Sequence, residues 1–64
     1  MPIIRVEMFE GRDRAQKRKI ISEVTAGFCR ATGASPESVN VILTDVSQNE
    51  WARGGVAFAD RDKS

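Results

Sequence analysis

The residues that usually carry covalent or proton-transfer chemistry are scarce in this 64-residue chain. It has no histidine and one cysteine, Cys29. A lone thiol cannot form an internal disulfide, and without histidine it cannot make a zinc site. Cys29 falls within an expected helix, where it reads as a buried, inert thiol. Ser22 and Ser47 have no base beside them in a recognisable motif, and Gly54-Gly55 lacks the Gly-x-Gly-x-x-Gly spacing of a phosphate loop. The acids are scattered; Glu7, Glu10 and Glu50 are available to activate a water, but no spacing singles one out. What remains is the opening Met1-Pro2. Aminopeptidases remove methionine before a small second residue, and proline qualifies. Pro2 would then carry a secondary amine. An ordinary α-amino group has a pKa of about 8. Nearby cations and an apolar pocket both disfavour its protonated form. A neutral amine near pH 7 is a competent general base and can also add to carbonyls. With Met1 in place the same nitrogen is an amide and has no basicity. Pro2 also reads as a strand-edge proline that donates no ladder bond.

The elements that must position such a group are legible in the apolar pattern. Ile3, Ile4, Val6, Met8 and Phe9, set among Arg5 and Glu7, predict a strand over residues 2–8. Glu10-Gly11-Arg12 breaks it. Asp13 is placed to cap a helix reaching about residue 32. Ile20, Ile21, Val24, Phe28 and Ala31 form its apolar stripe, and Gly33 is its C-terminal cap. Ser35-Pro36 opens a short helical turn. Val39, Val41 and Leu43, alternating with Asn40, Ile42 and Thr44, predict a second strand through about residue 45. A right-handed crossover makes the two strands parallel. After a polar loop at residues 47–50, the apolar segment 51–58 carries a glycine pair that suits a small hairpin. Residues 60–64 form a charged tail, expected to be mobile. The fold class is therefore α+β: one domain, residues 1–64, with a β-α-β unit and a short C-terminal hairpin.

Such a chain buries only about 60% of its extended surface and needs support. Disulfides and metal being excluded, oligomerisation is the expected remedy. A parallel strand pair also needs cover on both faces. One helix covers one face, so the other must meet another chain. The formal net charge is +1, from ten Lys and Arg against nine Asp and Glu. That balance gives no general argument for nucleic acid or an anionic membrane, and neither is expected as a partner. The cluster Arg12, Arg14, Lys17, Arg18 and Lys19 is interrupted by Asp13 and reads as a solvated helix face. No apolar run approaches the roughly 20 residues of a membrane span. Glu7 and the Glu10-Gly11-Arg12 turn interrupt any signal-peptide pattern, so a reducing, cytoplasmic setting is expected.

Pro2-Ile3-Ile4 opening a strand, Glu10-Gly11-Arg12 closing it, and Gln16-Lys17 early in the helix resemble the 4-oxalocrotonate tautomerase family. So do Ser38-Val39-x-Val41-Ile42-Leu43-Thr44 and the aromatic-x-x-Gly-Gly segment from Trp51 to Gly55. The similarity runs along essentially the whole chain. It implies β-α-β protomers assembling as hexamers, a trimer of dimers, either of one chain or of two. It implies an amino-terminal proline that moves a proton in a small unsaturated 2-keto or 2-hydroxy acid, with no metal or organic cofactor. By this resemblance Pro2 is the base and acid, and Arg12 holds a substrate carboxylate, which a guanidinium can grip through two parallel bonds. Trp51 and Phe9 line the pocket. Asn40 is a departure: the best-known members have an arginine there, polarising the substrate's 2-oxygen. Losing one such donor typically costs roughly 2.7–4 kcal/mol of barrier. Arg53, where the family often has an apolar residue, is a candidate for the missing cation, and equally reads as a solvated loop arginine.

Taken singly, Arg12 reads as a surface turn residue and Trp51 as a core or interface aromatic. Two alternatives to the tautomerase stay open. One is a dehalogenase or hydratase relative acting on haloacrylates with the same proline, which needs an acid to activate water. The other is a non-catalytic oligomerising or nucleic-acid-binding module, indifferent to Pro2.

Overall fold

Two seven-residue strands, β1 (Ile3–Phe9) and β2 (Asn40–Val46), lie side by side in parallel. The helix α1 (Arg14–Thr32) makes the crossover between them. The architecture is known from a computed structural model, which describes residues 1–61. The register runs from Ile3 opposite Asn40 to Phe9 opposite Val46. The ladder continues one bond beyond each end: the Asn40 amide donates to the Pro2 carbonyl at 3.0 Å, and the Glu10 amide to the Val46 carbonyl at 3.0 Å. Those bonds explain why both strands sit one residue later than the alternation predicts. Val39 is drawn out of β2 because its amide closes the 3-10 turn Pro36–Ser38, donating to the Pro36 carbonyl at 3.2 Å.

Local chemistry accounts for the ends of α1. Asp13 accepts from the Gln16 amide at 2.8 Å, and the Gln16 side chain accepts from the Asp13 amide at 3.3 Å. This reciprocal box satisfies two orphan donors of the first turn. At the other end the Gly33 amide donates to the Cys29 carbonyl at 2.8 Å. Ile20, Val24 and Phe28 are half-buried, as is Cys29, which was expected to be buried. Ile21 and Ala31 of the expected stripe are exposed. Two strands are too narrow a floor for the whole stripe, and Ile21 overhangs Leu43 in a cleft of about 410 Å³ between α1 and β2. Lys17, expected to be solvated, closes that cleft by pairing with Asp45.

The sheet has one covered face. Ile4, Val6, Met8, Val41 and Leu43 are half-buried. The opposite face carries Ile3, Arg5 and Glu7 beside Asn40, Ile42 and Thr44, all exposed. Ile3 is 56% and Ile42 40% exposed, and no side chain among the described residues is fully buried. The accessible surface is 4983 Å². A globular monomer of 7.1 kDa would expose about 4,100 Å². The radius of gyration is 15.1 Å, against about 11 Å for a compact chain of this length. A single chain therefore exposes about 900 Å² more surface than a globular monomer of its mass.

The C-terminal segment is a hairpin. Strand β3 (Ala52–Arg53) pairs antiparallel with β4 (Val56–Ala57). Gly54 and Gly55 between them have φ of 64° and 86°. A two-residue turn with both central φ positive is the tight hairpin geometry that glycine adopts without strain. Counting outward from it sets Trp51 opposite Phe58, and the Phe58 amide donates to the Trp51 carbonyl at 2.7 Å. Of the tail expected at residues 60–64, Asp60 belongs to the 3-10 turn Phe58–Asp60 and Arg61 packs against Phe58; residues 62–64 lie outside the described residues. No helix among the described residues is long and apolar enough to cross a membrane.

Candidate active site

The candidate residues gather at the two ends of β1. At its start, Pro2 is half-buried and its carbonyl is fixed by the Asn40 amide. The ladder thereby holds the ring of Pro2 at the mouth of the parallel pair. Met1, which precedes it, is 93% exposed. The Asn40 side chain is exposed beside it, on the uncovered face of the sheet.

At the far end of β1 stands an aromatic cluster. Phe9 meets Trp51 edge-on, with ring centres 4.6 Å apart, and Phe58 at 5.3 Å; Trp51 and Phe58 are 6.4 Å apart. Edge-to-face and tilted pairs of this kind add about 0.5–1.5 kcal/mol each beyond their area burial. The cluster is what ties the hairpin to β1. Arg12 lies at its margin, donating through Nη1 to the Phe9 carbonyl at 3.2 Å. Gly11, with φ of 121°, makes the turn that brings Arg12 back toward Phe9, a conformation closed to residues with a side chain. The Asp13 box then anchors the chain just beyond. Arg53 is exposed, and its guanidinium lies 5.2 Å from the Phe58 ring centre.

Phe9, Arg12, Trp51 and Arg53 are thus brought together, and Pro2 and Asn40 are not brought to them. At about 3.3 Å per residue, β1 alone separates its ends by about 20 Å. One chain cannot present Pro2 and Arg12 to one small molecule.

Sequence reasoning missed two members of the cluster, Phe58 and Arg61. Phe58 could have been found by counting outward from the glycine pair. Arg61 could not, because a 3-10 turn returns it to the ring: its guanidinium lies 5.4 Å from the Phe58 centre, and its Nη1 donates to the Arg53 carbonyl at 2.8 Å. A second grouping also emerges. Glu7, Glu50 and Trp51, with Val46 and Ala52, line a cleft of about 360 Å³. Glu7 and Glu50 thus share a cleft with Trp51, while Arg53 and Arg61 lie over the Phe58 ring and Arg12 bonds the Phe9 carbonyl. Among the described residues, no three His, Cys, Asp or Glu side chains are grouped to hold a metal ion.

Comparison with known proteins gives a consistent result. A family model described as "Tautomerase enzyme" matches residues 2–61. A probable tautomerase of Bacillus cereus is 38% identical over 61 residues, covering 95% of this chain and all of that protein. Among solved structures, a 4-oxalocrotonate tautomerase homologue in the tomaymycin biosynthetic pathway superposes with a TM-score of 0.93 at 32% identity, covering 98% of this chain and 97% of that one. A heterohexamer 4-oxalocrotonate tautomerase from Chloroflexus aurantiacus does so with a TM-score of 0.88 at 28% identity, covering 95% of this chain and 98% of the other.

Proposed function

The chain belongs to the tautomerase family, and on that premise we propose that it is an isomerase whose base is the amine of Pro2, freed by loss of Met1. Its substrate is a small unsaturated 2-hydroxy or 2-keto acid of the 2-hydroxymuconate kind. The neutral amine takes the proton of the 2-hydroxyl, leaving a dienolate with its charge on the 2-oxygen. The resulting ammonium returns that proton to a carbon of the extended system, which gives the 2-keto acid and restores the amine. The step needs no cofactor, because the proton leaves and returns through one nitrogen.

The other residues stabilise charge and shape the pocket. Asn40 donates a neutral hydrogen bond toward the 2-oxygen. Arg12 grips a carboxylate, Phe9 and Trp51 form an apolar wall, and Arg53 supplies a cation that the position of Asn40 lacks. A neutral donor stabilises an oxyanion less than a guanidinium does, so turnover of 2-hydroxymuconate should be modest. The observation that carries the proposal is the division of these residues between the two ends of β1. A complete site requires Pro2 of one copy and Arg12 of another. The exposed sheet face and the surplus surface support the same assembly, which we take to be a cytoplasmic homohexamer built as a trimer of dimers. A heterohexamer, as in the Chloroflexus relative, is the alternative if a partner chain supplies an arginine opposite Asn40.

The test is ketonisation of 2-hydroxymuconate, followed by ultraviolet absorbance on protein whose mass confirms loss of Met1, with Pro2→Ala beside it. A rate that collapses in the variant is expected. An equal rate in both would overturn the need for proline at the terminus, since alanine there also carries a free amine.

One observation favours a second reading. Glu7 and Glu50 line the same cleft as Trp51, and a carboxylate beside the pocket wall is what activation of water would use. A haloacrylate dehalogenase or hydratase would show Pro2-dependent halide release that is lost in Glu50→Gln. Absence of halide release would dismiss it.

A further inference from the structure

The residue that the proposed function leaves without a task is Arg61. The turn Phe58–Asp60 carries the chain back over the hairpin, with the Arg61 amide donating to the Phe58 carbonyl at 3.2 Å. The Arg61 side chain then makes two contacts. Its Nη1 donates to the Arg53 carbonyl at 2.8 Å, and its guanidinium lies 5.4 Å from the centre of the Phe58 ring. Arg53 is 5.2 Å from the same ring centre. Two guanidiniums share one aromatic ring, although like charges repel. The π-face attracts both, and the carbonyl takes one of the Arg61 donors. Among the described residues the only ion pair is Lys17 with Asp45, so no carboxylate of the described chain neutralises either cation. A guanidinium attracted to a ring face still has N–H groups to spare, and with these it binds a carboxylate. The third guanidinium, Arg12, is held at the Phe9 carbonyl, and the Phe9 ring is 5.3 Å from that of Phe58.

We propose that Arg61 is a positioning residue: by holding the backbone of Arg53 and sharing Phe58 with it, Arg61 turns Arg53 from a mobile surface side chain into a fixed carboxylate-binding cation, and so sets the selectivity of the site for acids with two carboxylates over acids with one. This rests on the assignment of Arg53 to the substrate site made above, where a guanidinium beside the 2-oxygen also meets the carboxylate next to it. Arg61 contacts no substrate in this scheme. A cation already held in place binds more tightly, because less side-chain freedom is lost on binding.

The test uses unreactive acids, so that binding is read apart from catalysis. Muconate and sorbate share a six-carbon diene and differ in carrying two carboxylates or one. Trp51 is the chain's single tryptophan, and its fluorescence reports occupancy of the aromatic end. Protein free of Met1 is expected to bind muconate about tenfold more tightly than sorbate, the scale of one charge-assisted contact. Arg61→Gln should remove most of that ratio by weakening muconate and not sorbate. Arg53→Gln should do the same, and the double variant should be no worse than Arg53→Gln alone, since both changes act through one contact. A merely structural role for Arg61 would weaken both acids alike. Equal binding of the two acids by the unaltered protein, equal weakening of both by Arg61→Gln, or an additive double variant would overturn the inference. Selective muconate binding without Pro2-dependent ketonisation would remove the catalytic proposal and leave this one. Pro2-dependent ketonisation with unselective binding would do the reverse.

Discussion

Replacing Ile42 with aspartate is expected to abolish activity, although Ile42 has no assigned part in the chemistry. Ile42 sits on the uncovered face of the sheet, opposite Arg5 in the register, and is 40% exposed in the single chain. Fully burying an isoleucine contributes about 1.5–3 kcal/mol, so the exposed part leaves about 1 kcal/mol per copy to be gained on assembly. Aspartate forfeits that and sets a carboxylate on the same face. An unpaired charge excluded from water costs several kcal/mol more. The surplus surface of about 900 Å² over a globular monomer is close to the roughly 800 Å² that one partner contributes to an ordinary interface. The variant therefore loses its assembly, and with it the meeting of Pro2 and Arg12. Native mass spectrometry reads the assembly. Thermal melts over a roughly hundredfold range of protein concentration read its link to folding, because the melting temperature of an obligate oligomer rises with concentration. Ketonisation reads the site. The reasoning is refuted by a variant that keeps the parent mass, or by a monomeric variant that turns over at the parent rate.

Other perturbations separate the remaining contributions. Asn40→Arg should raise kcat/KM on 2-hydroxymuconate about tenfold, the difference between a neutral and a charged hydrogen bond, and an unchanged value would remove Asn40 from the 2-oxygen. Any uncleaved extension before Pro2 should abolish ketonisation while leaving the melting temperature unaltered; full activity in such protein, verified by mass, would exclude the amine as base. Asp13→Ala removes the side-chain half of the capping box, leaving the Gln16 amide without its acceptor, and should cost about 1 kcal/mol, seen as a lower urea midpoint. An unshifted midpoint would mean that the box does not hold the turn carrying Arg12.

What could be read from the chain alone was whatever depends on near neighbours. The alternation of Ile4, Val6 and Met8 marks a strand because side chains on a pleat repeat every second residue. Asp13 and Gly33 mark the ends of α1 because capping is settled within a turn. The expectation of an oligomer came from one helix set against a two-faced sheet, and the family resemblance named the candidate site residues. Strand limits were off by one because the terminal ladder bonds, from Asn40 to Pro2 and from Glu10 to Val46, join residues far apart in the chain. Only the tertiary structure decided how the candidate residues are shared out. Parallel pairing sends Pro2 and Asn40 to one end of β1 and leaves Phe9 and Arg12 at the other, a separation that no local pattern records. The hairpin then lays Trp51 and Phe58 on Phe9, and a final turn returns Arg61 to the ring beside Arg53. Packing between residues distant along the chain sets such contacts. The residue types suggested the chemistry, and the folded path decided which of the candidates lie together in one chain.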